Sequence, residues 1–151
     1  MWKLIVSGFG MGFSPIAPGT MGAIGALVPA ILILNYLSSP YLIIACLSVI
    51  FTILGIIGCD KLRYQWGKDP SRIVVDEMVG MWISLMWIGR GWIPLFAAFI
   101  LFRFFDIKKP LGIHKSEQLP GGLGVMADDI LAGIYTNLIM QIAFRIMPAL
   151  I

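Results

Sequence analysis

"EMVGMWISLMWIGRGWIPLFAAFILFRFF", residues 77–105, decides how often this chain crosses a membrane. Taken as one helix it is long enough to span a bilayer. Arg90 then lies near mid-membrane, at a cost of about 2.5–3.5 kcal/mol. Taken as a hairpin, it brings "WIGRGW" (87–92) to the surface, where Gly89 and Gly91 make the turn and Trp87 and Trp92 sit in the interfacial belt. The hairpin avoids the buried arginine and is the expected form. Its first arm is short, so the helix is expected to start nearer Ile73, drawing Asp76 and Glu77 in toward the headgroups.

Working outward, residues 23–38 and 41–58 are apolar runs near the length of a bilayer crossing, joined by "SSP" at 38–40, where Pro40 blocks helix continuation. Polar stretches follow at 59–76 and 106–128, and 129–147 forms a last span. The expectation is a single domain, 1–151, folded as an all-α polytopic membrane bundle of about five helices. These are two hairpins plus a C-terminal span, entered through an N-terminal glycine-rich loop. Composition agrees. Hydrophobic residues make up 59% and charged residues 13%, with mean hydropathy +0.92. A water-facing surface normally needs about a quarter of the chain charged. No cleavable signal peptide is expected, because glycines and prolines interrupt the first apolar stretch. Cys46 and Cys59 lack metal or redox spacing. The net charge of +3 is dispersed, which argues against a nucleic-acid partner.

Charge also sets orientation. In this threading Lys3, Lys61, Arg63, Lys68, Arg72, Arg103, Lys108, Lys109 and Lys115 share one face, and only Arg90 and Arg145 fall on the other. The positive-inside rule makes the first face cytoplasmic. All eight acids lie there too: Asp60, Asp69, Asp76, Glu77, Asp106, Glu117, Asp128 and Asp129. Three of these sites abut expected helix ends: Asp76–Glu77, Asp106 and Asp128–Asp129. Taken singly, Asp76, Asp128 and Asp129 also read as acids favoured at helix N-termini, by about 0.3–1 kcal/mol each. That account fails for Asp106, at a C-terminal end, and for two adjacent doublets, which repel unless something positive neutralises them. Hard oxygen ligands from several helix ends suit Mg²⁺.

A second constellation, "SGFGMGFSPIAPGTMG" (7–22), is glycine-rich and could turn amide N–H groups toward an anion. Equally, it reads as a flexible turn into the first span. It lacks the GKS or GKT of a P-loop, which disfavours nucleotide hydrolysis. "LPGGLGVMADD" (119–129) is a second such stretch and ends on the aspartate doublet. Arg103 and Lys109 supply positive charge near Asp106, either for a phosphate or as interfacial anchors. His114, Asp60 and Glu117 receive no role.

"GFGMGFSPIAPGTMGA", "IVVDEMVGMW", "FRFFDIKKP" and "GGLGVMADDILAGIY" together resemble the motifs of the phosphatidylglycerophosphatase A family, over about residues 7–135. The resemblance implies a Mg²⁺-dependent lipid phosphatase of the bacterial inner membrane, with its active site on the cytoplasmic face. It would convert phosphatidylglycerophosphate to phosphatidylglycerol and inorganic phosphate. Carried over by position, the family's acidic motifs fall on Asp76, Glu77, Asp106, Asp128 and Asp129. Its "SPxxPGT" falls on Ser14 through Thr20, and its "DxxKP" on Asp106, Lys109 and Pro110. The chain departs at 108 and 111–112, where Lys108 and "LG" stand for a Trp and "WP".

Residues and resemblance agree on metal-assisted phosphomonoester hydrolysis. The assigned metal ligands are Asp76, Asp106 and Asp129. Glu77 or Asp128 would orient the attacking water, and Ser14, Gly19, Thr20, Arg103 and Lys109 would hold the substrate. An aspartate nucleophile stays open as an alternative to water. A Cys-x5-Arg loop, a DxDxT motif and a second histidine are all missing, which removes three other phosphatase chemistries. Two further classes fit the sequence less well. A CDP-alcohol phosphotransferase needs a DGx2AR pattern that is missing here. A channel or transporter needs more polar spans than Asn35, Thr52, Thr136, Asn137 and Gln141 provide.

Overall fold

The computed structural model describes residues 1–66 and 70–146. Lys68 and Asp69, two charges of the first polar stretch, lie outside the described residues, as does the side chain of Glu117. The described chain is all helical and has no strand. Its α-helices are α1 (Trp2–Val6), α2 (Pro18–Tyr36), α3 (Pro40–Trp66), α4 (Val75–Ser84), α5 (Trp92–Lys108) and α6 (Gly122–Ile146), with short 3-10 turns at Met11–Phe13, Pro70–Arg72 and Ile113–Gln118. Three of these, α2, α3 and α6, are long and apolar enough to cross a membrane. Their outward faces carry rows of exposed Ile, Leu and Val, such as Val28, Leu32, Leu42, Val49, Ile53, Leu138 and Ile142. This is the membrane bundle expected from sequence.

Residues 77–105 form the hairpin. The turn between α4 and α5 places Trp87, Gly89 and Gly91 at φ 55°, 89° and 142°, and Arg90 is exposed. α4 starts at Val75, close to the expected position, and its 10 residues rise only about 15 Å, half a bilayer. It survives at that length because it is wrapped on every side. α2, α3, α5 and α6 all pack on it, α6 most extensively, and eight of its residues are buried. The Trp82 indole N–H donates to the Ala26 carbonyl across 2.9 Å, pinning α4 to α2. A helix ending inside a bundle must also satisfy its last carbonyls. Asn137 of α6 does so, its Nδ2 donating to the Met86 carbonyl at 2.6 Å and the Ser84 carbonyl at 3.3 Å. Gln141 donates to Asn137 Oδ1 at 2.7 Å and holds that side chain in place.

The remaining helices run longer than expected on the site face. α2 opens at Pro18, a residue suited to the first helical turn. α3 continues past its apolar run through Asp60, Lys61 and Arg63 to Trp66. α6 begins at Gly122 rather than near Asp129, so the Asp128–Asp129 doublet lies about two turns inside the helix instead of at its N-terminus. The reason is a cap from another helix: the Gly122 N–H donates to Asp60 Oδ1 of α3 at 2.7 Å.

Candidate active site

Because the chain enters α4 and α6 from the same end, Asp76–Glu77 and Asp128–Asp129 start on one face of the bundle. What brings them together is a pair of glycines. A Cβ built at Gly133 would fall onto the Gly80 carbonyl, and one built at Gly80 would meet the Asp129 carbonyl and the Phe102 ring. With no side chain between them, α4 and α6 touch backbone to backbone. One turn toward the site face stand Asp76 on α4 and Asp129 on α6. Carboxylate oxygens of Asp76, Glu77 and Asp129 lie within 4.8 Å of one another.

These groups are withdrawn from water. Asp76 is 8% exposed and Asp129 3%. Asp76 Oδ1, Glu77 Oε2 and Asp129 Oδ1 are buried without a hydrogen-bond partner. Buried carboxylate oxygens with nothing to accept from are costly, and three acids clustered this closely fit a hard cation that prefers oxygen donors. The cluster floors a pocket of about 570 Å³, lined also by Ala17, Pro18 and Gly19 at the start of α2, Arg103, Asp106 and Ile107 at the end of α5, Lys109, and Gly124, Val125 and Asp128 of α6. Five carboxylates therefore share one pocket with two cations. Arg103 pairs with Asp106 three residues along α5, and Lys109 pairs with Asp128 across the pocket. Lys109 caps α5 in left-handed backbone, φ 46° and ψ 45°. Gly19 leaves room for Glu77: a Cβ there would overlap Glu77 Oε1 and come within 3.4 Å of Arg103 Nη1.

The family model for phosphatidylglycerophosphatase A matches residues 4–144. The chain belongs to the phosphatidylglycerophosphatase A family. It is accordingly an enzyme, a membrane phosphatase. Among its relatives, the phosphatidylglycerophosphatase A of Escherichia coli K12 is 37% identical over 88% of this chain and 77% of its own length. That of Haemophilus influenzae is 38% identical over 91% and 85% respectively. A Bacteroides thetaiotaomicron protein named as a candidate phosphatidylinositol-3-phosphatase is 50% identical over 93% of this chain and 91% of its own. No solved structure matches.

Of the residues singled out in this phosphatidylglycerophosphatase A family member's sequence, Asp76, Glu77, Asp106, Asp128, Asp129, Arg103, Lys109 and Gly19 line the one pocket. Asp106 stands with Arg103, while Glu77 completes the close trio with Asp76 and Asp129. Ser14 is not in the lining; its hydroxyl donates to the Ile16 carbonyl at 2.9 Å and ties the loop to itself. Thr20, in the first turn of α2, is likewise outside the lining. Most of the glycine-rich loop serves packing. Cβ atoms at Gly8 and Gly22 would run into Val74, and one at Gly12 into the Arg72 carbonyl, so the loop lies flush against the segment that leads into α4. The Val74 N–H also donates to the Val6 carbonyl at 2.9 Å. His114 is exposed. Sequence reasoning missed the positioning set: Asp60, Gly80, Gly133 and Asn137. A signal for two of them was present, since "DEMVG" and "DILAG" both place glycine one helical turn after an acid.

Proposed function

We propose that this protein hydrolyses the terminal phosphomonoester of phosphatidylglycerophosphate, giving phosphatidylglycerol and inorganic phosphate for phospholipid synthesis. We place the reaction on the cytoplasmic face of a bacterial inner membrane, with Mg²⁺ as cofactor. The observation that carries this reading is the trio of orphaned, buried carboxylate oxygens in a pocket that also presents Arg103 and Lys109. The family match over residues 4–144 supplies the reaction class.

In this reading Asp76, Glu77 and Asp129 hold the ion, with Asp106 beside them, against Arg103. Bound there, Mg²⁺ would offset charge on the phosphoryl oxygens and lower the pKa of a nucleophilic water. Arg103, Lys109 and the first-turn amides of α2 bind the phosphate oxygens, Arg103 through its planar fork and the helix through its positive end. Asp128 accepts a hydrogen bond from the attacking water and orients it in line with the glycerol oxygen. The bond from phosphorus to that oxygen breaks as the water oxygen adds. The water gives up a proton to a carboxylate, and the departing glycerol oxygen takes one up from a solvent water. Burial of the trio strengthens its hold on a cation, because little water is there to screen the charges.

A second reading comes from the Bacteroides relative: a phosphate on an inositol ring. A pocket of about 570 Å³ admits either headgroup. The test is phosphate release by purified protein from mixed micelles of each lipid, with Mg²⁺ and with chelator. Turnover of phosphatidylglycerophosphate that needs a divalent ion is expected. Asp76→Asn and Asp129→Asn should each lower it by about a hundredfold or more while the protein still inserts. Faster turnover of the inositol lipid would transfer the assignment to the second reading. Undiminished activity in chelator would remove the metal.

A further inference from the structure

We infer that Gly80 and Gly133 fix the size of ion that the carboxylate cluster accepts, acting as positioning residues through the α4–α6 spacing; this rests on the reading of the cluster as a cation site. α4 and α6 run in the same direction from the site face. Asp76 and Gly80 lie four residues apart, as do Asp129 and Gly133, so each acid shares a helix face with its glycine. At the glycines the backbones are in contact, where ordinary side chains hold helix axes about 8–10 Å apart. One turn back, the two carboxylates meet, with Asp76 Oδ1 and Asp129 Oδ1 buried and unpartnered. An aspartate has a single methylene and little reach with which to follow a shifted helix. Backbone spacing therefore becomes ligand spacing. Mg²⁺ takes oxygens at about 2.0–2.1 Å in near-octahedral geometry, whereas Ca²⁺ takes them at about 2.3–2.6 Å and tolerates irregular shells. A crossing closed to backbone contact favours the smaller ion, and a wider one admits the larger.

The experiment is calorimetric titration of Mg²⁺ and of Ca²⁺ into detergent-solubilised protein without lipid substrate, with thermal unfolding of the ion-free protein recorded alongside. In Gly133→Ala the new methyl displaces the Gly80 carbonyl and parts the helices. Mg²⁺ affinity should fall on the order of tenfold, and Ca²⁺ affinity by less, so the preference for Mg²⁺ narrows. Gly58→Ala is the control. Its Cβ meets Val6 and Trp2, where α1 packs on α3, and it should lower stability without changing the ion preference. If Gly133→Ala does not fold, Asp129→Glu carries the test. One added methylene within an unchanged, rigid crossing should also weaken Mg²⁺ binding by on the order of tenfold. A folded Gly133→Ala with the native ion preference overturns the inference, as does Asp129→Glu binding Mg²⁺ like the native chain. Native protein that takes up neither ion overturns the cation reading itself, and this inference with it.

Discussion

Lys109 ends α5 in left-handed backbone, a conformation that costs a residue with a Cβ about 1–2 kcal/mol. From there its Nζ reaches Asp128, nineteen residues further on. In the proposed reaction this ammonium meets the phosphate. Lys109→Ala should therefore raise KM by about tenfold or more, the loss expected for a charge-assisted hydrogen bond of about 1.5–3 kcal/mol, with a smaller change in kcat. Steady-state kinetics on the lipid substrate checks this, and an unchanged KM would take Lys109 out of the phosphate site. Single residues were the most legible level of this protein. Charges are scarce in so apolar a chain, so Asp76, Glu77, Asp106, Asp128 and Asp129 stand out in the sequence. Which acids come closest was hidden, because it depends on side-chain direction. Glu77 sits with Asp76 and Asp129, while Asp106 faces the arginine one turn behind it.

Helices bear the burden of bringing those residues to one point, and here the sequence was only partly readable. Apolar runs located the spans and the tryptophan–glycine turn located the hairpin. The start of α6 and the foot of α4 were not legible, because both are set by side chains from distant helices. Asp60 satisfies an amide at the start of α6, so Asp60→Ala should destabilise the fold by about 1 kcal/mol and fray the turn that precedes Asp128. Thermal unfolding in detergent and amide exchange at Gly122–Gly124 would show both effects. Asn137 satisfies carbonyls at the foot of α4. Asn137→Leu leaves them buried and unpaired, at about 1–3 kcal/mol for each group, and should lower the unfolding midpoint more than Asp60→Ala does. The glycine crossing escaped notice for a related reason: a missing side chain gives no signal until its neighbour is known.

Across the whole molecule, the N-terminal ends of α2, α4 and α6 and the C-terminal ends of α3 and α5 gather on one face. The 37–39 connection and the 85–91 turn lie on the other, where the tilted rings of Tyr41 and Trp87 pack with centroids 5.7 Å apart. Nine of the eleven basic residues belong, in the sequence threading, to the first face. The positive-inside rule then predicts that a cysteine at His114 reacts with an impermeant maleimide only after the membrane is opened, and one at Ser39 before. Equal labelling of both in intact cells would undo the threading.

The shallow reach of α4 has one more consequence. Val75, at its head, packs against Gly55 of α3, five residues before Asp60 ends that helix's apolar run. Asp76 and Glu77 thus stand about a turn and a half beneath the level where α3 becomes polar. A water-soluble phosphate ester would have to leave its solvent to descend that far, whereas a molecule moored by acyl chains already resides at that altitude. Under the proposed function, that depth favours a lipid over a soluble metabolite before any headgroup atom is touched.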